Sequence, residues 1–164
     1  MREFKSLLDF STHLAEMQLV EQKAQEHGLE LILRRIQNTA KAELGNYQPA
    51  VGPFAKWAEL AESTKADRLR QGYSENDPGY RSGAMEESIG RRHSGMEGEV
   101  GSDDDHLVYF EFGTSKQPAR PVLGPAAYRN KKFIERVAAG AVVSGFIGEE
   151  RIHPSLGYDI ESSS

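Results

Sequence analysis

Three adjacent carboxylates, Asp103, Asp104 and Asp105, followed by His106, form the densest set of potential metal ligands in this chain. Their oxygens suit a hard cation such as Ca2+, but neighbouring side chains in an extended segment point to alternate sides, and no distant glutamate completes an EF-hand spacing. A solvated turn between two strands is the competing reading. The histidines, His13, His27, His93, His106 and His153, stand far apart, and none forms an HxxxH or HExxH pair. Ser82 in GYRSG lacks the GxSxG spacing of a nucleophile elbow, and the glycines of GMEGEVG do not spell the GxGxxG phosphate loop. Arg91, Arg92 and His93 make a basic patch able to touch a phosphate, yet Glu86, Glu87, Glu97 and Glu99 surround it and favour salt bridges on a strand surface. Cysteine is absent, which excludes disulfides, thiolate zinc sites and a cysteine nucleophile. No catalytic residue, cofactor site or metal site is expected.

The most specific stretch runs from Tyr109 to Pro125, YFEFGTSKQPARPVLGP. An aromatic segment enters a glycine turn, then a proline-flanked Ala119-Arg120, then a Gly124-Pro125 pair suited to opening a helix. Pro118 and Pro121 lack N–H donors and favour extended backbone before them, so residues 113–121 read as an arm or structured loop. The plainer alternative is a simple connection with Glu111 pairing Lys116 or Arg120 locally.

The elements that position this stretch follow from periodicity. Leu14, Met17, Val20 and Ala24, then Leu29, Leu33, Ile36, Ala40 and Leu44, recur at threes and fours, which predicts a long amphipathic helix from Ser11 to Leu44. Ser11 suits its N-cap and Gly45 its stop, and the slip in the stripe near Gly28 allows a bend or a break into two helices. Such a helix would reach roughly 50 Å, too long to bury against one small domain, so part of its face is expected to meet another subunit. Residues 46–54 read as a loop, and short helices are expected from Ser63 to Gln71 and from Ser82 to Ser88. Three segments, 88–93, 97–102 and 107–112, read as an antiparallel meander, with 107–112 as a central strand covered on both faces. A further helix is expected over 126–139, and 151–160 reads as an edge strand.

These elements make an α+β fold: a long N-terminal helix and a C-terminal helix packed on a small antiparallel sheet, with a Pro-rich extended arm. The organisation is a helix over 1–45, a core over 46–140 with the arm at 113–121, and a tail over 141–164. Length supports a single domain: 164 residues, 38% hydrophobic. A net charge of -5 disfavours an avid nucleic-acid binder. The start of the chain lacks the pattern of a secretory signal, and its most apolar stretch falls short of the roughly 18 apolar residues of a membrane span. With a mean hydropathy of -0.59 and 9% aromatics the core is thin, and subunit contacts are expected to supplement it.

The series Glu111-Phe112-Gly113-Thr114-Ser115-Lys116, Pro118-Ala119-Arg120-Pro121 and Pro125-Ala126 resembles the signature of the neck, or tail-completion, proteins of long-tailed bacteriophages, the head-tail joining family. Upstream, Trp57, Leu60, Ser63-Thr64, Ser82-Gly83-Ala84-Met85, Ser88-Ile89 and Val100-Gly101-Ser102 follow in the family's order, so the likeness covers about residues 54–130. Arg81-Ser82-Gly83 departs from the Asp or Thr before Gly of many relatives, and the three aspartates replace a shorter turn. The resemblance implies a non-enzymatic virion protein, assembled in the host cytoplasm into a ring of six or twelve subunits at the head-tail interface. Its partners would be head-completion or adaptor proteins on the portal side and tail terminator or tail tube proteins, with genomic DNA passing through unread.

On that reading residues 113–121 are an assembly arm. Phe110 and Phe112 anchor the sheet, Gly113 permits the turn, Thr114, Ser115, Lys116, Pro118, Ala119 and Pro121 form the contact, and Arg120 pairs with a carboxylate. Asp103, Asp104 and Asp105 are the candidate carboxylates facing the DNA channel, where like charge keeps phosphate from sticking. The alternatives are a minor tail protein or transient assembly factor not retained in the virion, and a small hydrolase using Asp103, Asp105, Glu111 or His106.

Overall fold

A computed structural model describes residues 6–147. The chain forms α1 (Leu7–Glu43), α2 (Glu62–Arg70), α3 (Ala84–Ser88), β1 (Ile89–Ser94), β2 (Glu97–Ser102), α4 (Asp105–Phe112), α5 (Leu123–Arg129) and α6 (Lys131–Ile147). This is an α+β fold whose sheet, among the described residues, is the two-stranded antiparallel hairpin β1-β2. The expected edge strand at 151–160 lies outside the described residues.

The long helix is unbroken and begins one turn earlier than the periodicity implied. Ser6, not Ser11, takes the capping role, its Oγ accepting from the Asp9 N–H at 3.1 Å. Ser11 instead donates back to the Leu8 carbonyl within the helix. Gly45, at φ +86°, ends the helix in the left-handed region that favours glycine. Gly28 marks a close approach rather than a bend: a Cβ there would lie 3.3 Å from Val137 Cγ1 and 3.4 Å from Ala141 Cβ.

The described residues form two compact units. The larger comprises Leu33–Arg92 and Gly98–Lys131; the smaller comprises the helix residues before Leu33, the hairpin tip His93–Glu97 and the described residues after Lys131. In the smaller unit Ala24, Val137 and Ala141 are buried, while Leu7, Leu8, Leu14 and Leu19 of α1 are exposed. The larger unit is built on Ala40, Leu44, Trp57, Ile89, Leu107, Phe110, Val122 and Ala126. Trp57 meets Phe110 edge to face, with ring centroids 5.2 Å apart.

Residues 107–112, expected as a central strand, are helical. Leu107 and Phe110, three apart, are buried, whereas Val108, Tyr109 and Phe112 face outward. A short apolar run fits period 2 and period 3.6 alike, and here capping chemistry decides. The Asp104 carboxylate accepts from the His106 N–H at 2.9 Å, so the acidic run starts α4 instead of linking two strands. The C-terminal helix also differs from expectation, dividing into α5 and α6 at Asn130. It opens at Leu123, after Val122, so Gly124 and Pro125 lie inside the first turn of α5 instead of forming its cap.

Ile89 is 1% exposed at the centre of the larger core. Ile89→Ala is expected to cost about 2–4 kcal/mol by removing packed methyl groups, measured by urea unfolding.

Candidate functional site

The motif residues converge on the segment from α4 through α5. The Arg120 N–H donates to the Phe110 carbonyl at 2.7 Å, and the Gln117 amide donates to the Tyr109 carbonyl at 2.9 Å, folding the connection back along α4. Thr114 and Gln117 pair across a tight turn. Gly113 sits at φ +73°, and a Cβ there would come within 2.6 Å of the Ala119 nitrogen, so both conformation and space demand glycine.

Arg120 departs from its expected role. The residue is 3% exposed, and its guanidinium donates to two backbone carbonyls, Nε to Ala58 and an Nη to Glu59, each at 2.8 Å, with the Phe110 ring 5.8 Å away. Among the described residues no carboxylate is bonded to it; its donors go to the 58–59 backbone. Desolvation pulls its pKa below the usual value. Trp57 completes the clasp in the opposite direction, its Nε1 donating to the Pro121 carbonyl at 2.9 Å.

Glu111 pairs with neither Lys116 nor Arg120. Its Oε2 accepts from the Val122 N–H at 2.6 Å and the Leu123 N–H at 3.2 Å, which occupies amides that the first turn of α5 leaves unpaired. Phe110 is buried among helices instead of anchoring a sheet, and Phe112 is 78% exposed. With Val108 at 47% and Tyr109 at 53%, Phe112 forms one exposed apolar face of α4, set by spacings of three and four. Thr114, Ser115, Lys116, Pro118 and Ala119 continue that exposed surface, while Pro121 is half-buried.

Of the three aspartates, Asp104 is engaged by His106 through both its backbone N–H and its ring Nδ1, 2.7 Å away, and these bonds hold its pKa below the ordinary carboxylate value. Asp103 and Asp105 are exposed. Among the described residues no group of three His, Cys, Asp or Glu side chains is placed to hold a metal ion, and no helix is long and apolar enough to cross a membrane. An open concavity of about 340 Å³ on the hairpin is lined by Ser88, Arg92, Glu99 and Asp103 among others, and within it Arg92 pairs with Glu99.

Sequence reasoning missed Glu43, the last residue of α1. Its side chain is buried, Oε1 accepts from Arg129 Nε at 2.9 Å, and Oε2 has no partner. Burial is the main cause that raises its pKa from 4.5 to about 7; the Arg129 cation opposes the rise and the Glu111 charge adds to it. A charged residue in the last turn of an amphipathic helix reads as solvated, so nothing in the sequence marked it. No protein-family description, curated protein or solved structure matches this chain.

Two outcomes follow from these environments. Arg120→Ala is expected to destabilise the larger unit by about 2–4 kcal/mol, since two backbone carbonyls lose their donors and a cavity opens. The Glu43 carboxyl binds its proton more tightly when folded, so its contribution to stability is complete below pH 4.5 and is lost as pH rises through about 7. Glu43→Gln should flatten the stability profile across that window, measured by urea unfolding at a series of pH values.

Proposed function

We propose that this chain is a structural protein of the phage virion, forming a ring in the neck that joins the DNA-filled head to the tail and lets DNA pass. The observation that carries the reading is the exposed apolar face Val108, Tyr109 and Phe112, continuous with the turn at 114–117 and held by the buried Arg120 and the half-buried Glu111. A segment fastened this firmly, yet presenting aromatic surface outward, is suited to docking with little loss of conformational freedom. Of the motif residues that resemble the neck family, Phe112, Thr114, Ser115, Lys116, Pro118 and Ala119 lie on this exposed surface.

A ring requires one patch to meet a different patch on the next subunit. The outward α4 face and the 113–121 connection supply one such patch, and the exposed leucines of α1 supply apolar surface for another. Six or twelve subunits would stack between head-completion or adaptor proteins and the tail terminator or tail tube. Asp103 and Asp105 are the exposed carboxylates proposed to face the channel, with Asp104 committed to its helix cap.

Cryo-electron microscopy of the intact particle tests the reading: a ring of this chain between portal and tail is the expected result. Its absence from mature particles would favour a transient assembly factor. Phe112→Asp should abolish ring formation and infectivity while leaving the melting temperature of the purified chain unchanged, because a 78% exposed side chain contributes little to the core.

A further inference from the structure

β1 and β2 each carry a glycine that nothing within the chain requires. Equal six-residue strands joined by Gly95-Met96 set Arg92 across from Glu99, with which it forms an ion pair, and Gly90 across from Gly101. Neither of these two glycines lies in the left-handed region, and a Cβ on either would meet nothing within 4 Å. Glycine weakens a strand interior through its freedom in the unfolded chain and its lack of a side chain to pack, so a facing pair costs stability that the chain's own conformation and space do not explain. α1 covers β1 from the other side, where Gln37 donates to the Ile89 carbonyl at 2.8 Å and accepts from Arg91. The glycine pair lines the open concavity of about 340 Å³, together with Arg91, Arg92, Glu99 and Asp103.

The complementary shape stands on the same chain. Phe112, at the end of α4, exposes an aromatic ring beside Tyr109 and the 114–117 turn. Bare glycine backbone in a strand is where an aromatic ring from outside the strand packs closely. Charge agrees with shape. Of the charged side chains lining the concavity, Arg91 is engaged by Gln37, and Arg92 and Glu99 by each other, which leaves Asp103. Lys116 is the one charged residue between Phe112 and Gln117. Among the described residues neither the Asp103 nor the Lys116 side chain has an ion-pair or hydrogen-bond partner, and both are exposed.

We infer that the end of α4 and its turn seat in the hairpin concavity of the next copy of this chain, with the Phe112 ring over Gly90 and Gly101 and Lys116 paired with Asp103. The inference rests on the ring reading and deepens it by naming both halves of one subunit joint. Asp103 then lies at that joint, and Asp105 is the carboxylate left for the channel. The two patches are unlike, so the contact repeats in one direction around an axis and closes when the rotation permits.

Sedimentation velocity and native mass spectrometry of the full chain test it. Gly101→Val should weaken self-association by roughly tenfold or more, because its side chain fills the place of the incoming ring. Its melting temperature should hold or rise, because that side chain meets open space within its own chain and suits a strand. A glycine needed for the fold would lower the melting temperature instead, which would overturn the inference. Lys116→Asp and Asp103→Lys should each weaken association by about tenfold, since like charges then oppose each other at every joint. The two single variants mixed together should assemble, alternating around the ring, and so should the chain carrying both substitutions. A folding defect is not cured by mixing. Undiminished assembly of the Gly101→Val chain would overturn the inference and leave the ring reading standing. Single variants that stay unassembled on mixing would also overturn it and would hand the concavity to a different partner. A wild-type chain that stays monomeric at every concentration would overturn both readings.

Discussion

Arg120 brings a full positive charge into the core without a carboxylate beside it, and the larger unit is organised around satisfying that charge. A buried guanidinium must spend its donors on oxygen, and the oxygens supplied are the main-chain carbonyls of Ala58 and Glu59. Those residues lack regular structure, so their carbonyls are free of helix or sheet bonds and can accept. The return bond from Trp57 to the Pro121 carbonyl means that two irregular segments, more than sixty residues apart, hold each other's backbone polar groups. Irregular chain could not otherwise stay in contact with a core containing Trp57 and Phe110.

Two acids of this region, buried Glu43 and half-buried Glu111, show how environment divides one chemistry into two behaviours. Glu111 accepts from successive backbone amides at the start of α5, where N–H groups converge and a negative charge is welcome. Glu43 ends α1, where unpaired carbonyls gather and the helix dipole disfavours a negative charge, and only one of its oxygens is bonded. The Arg129 cation reduces the penalty for Glu43 without cancelling it.

Much of the helical skeleton was legible in the sequence because its signals are local. The stripe from Leu14 to Leu44 foretold α1, and the glycine and proline punctuation around 46–54 foretold the loop that follows it. The β1-β2 hairpin followed from its short polar link. The run from Leu107 to Phe112 defeats a local reading because six residues with apolar groups on both faces satisfy either period, and Asp104 caps a helix where its acidic neighbours suggest a turn. The roles of Arg120 and Glu43 were illegible for a different reason: their partners lie about 60 and 86 residues away, and nothing local tells a buried arginine from a solvated one. Within the candidate site, the segment itself and the need for Gly113 were readable, whereas which side chains point outward was not.

Asn130, between α5 and α6, is 7% exposed and uses both ends of its amide. Its Nδ2 donates to the Thr39 hydroxyl and the Ala126 carbonyl, each at 2.8 Å, while its Oδ1 accepts from Arg35 at 3.2 Å. Aspartate has the same shape but cannot donate from the second position when ionised. Hydrolysis of this one amide, the ordinary chemical ageing of asparagine, would turn an attraction to the Ala126 carbonyl into a repulsion at the joint between the two helices. Burial and tight bonding hold the side chain still and away from water, so the same contacts that make the amide indispensable also slow the reaction that would remove it.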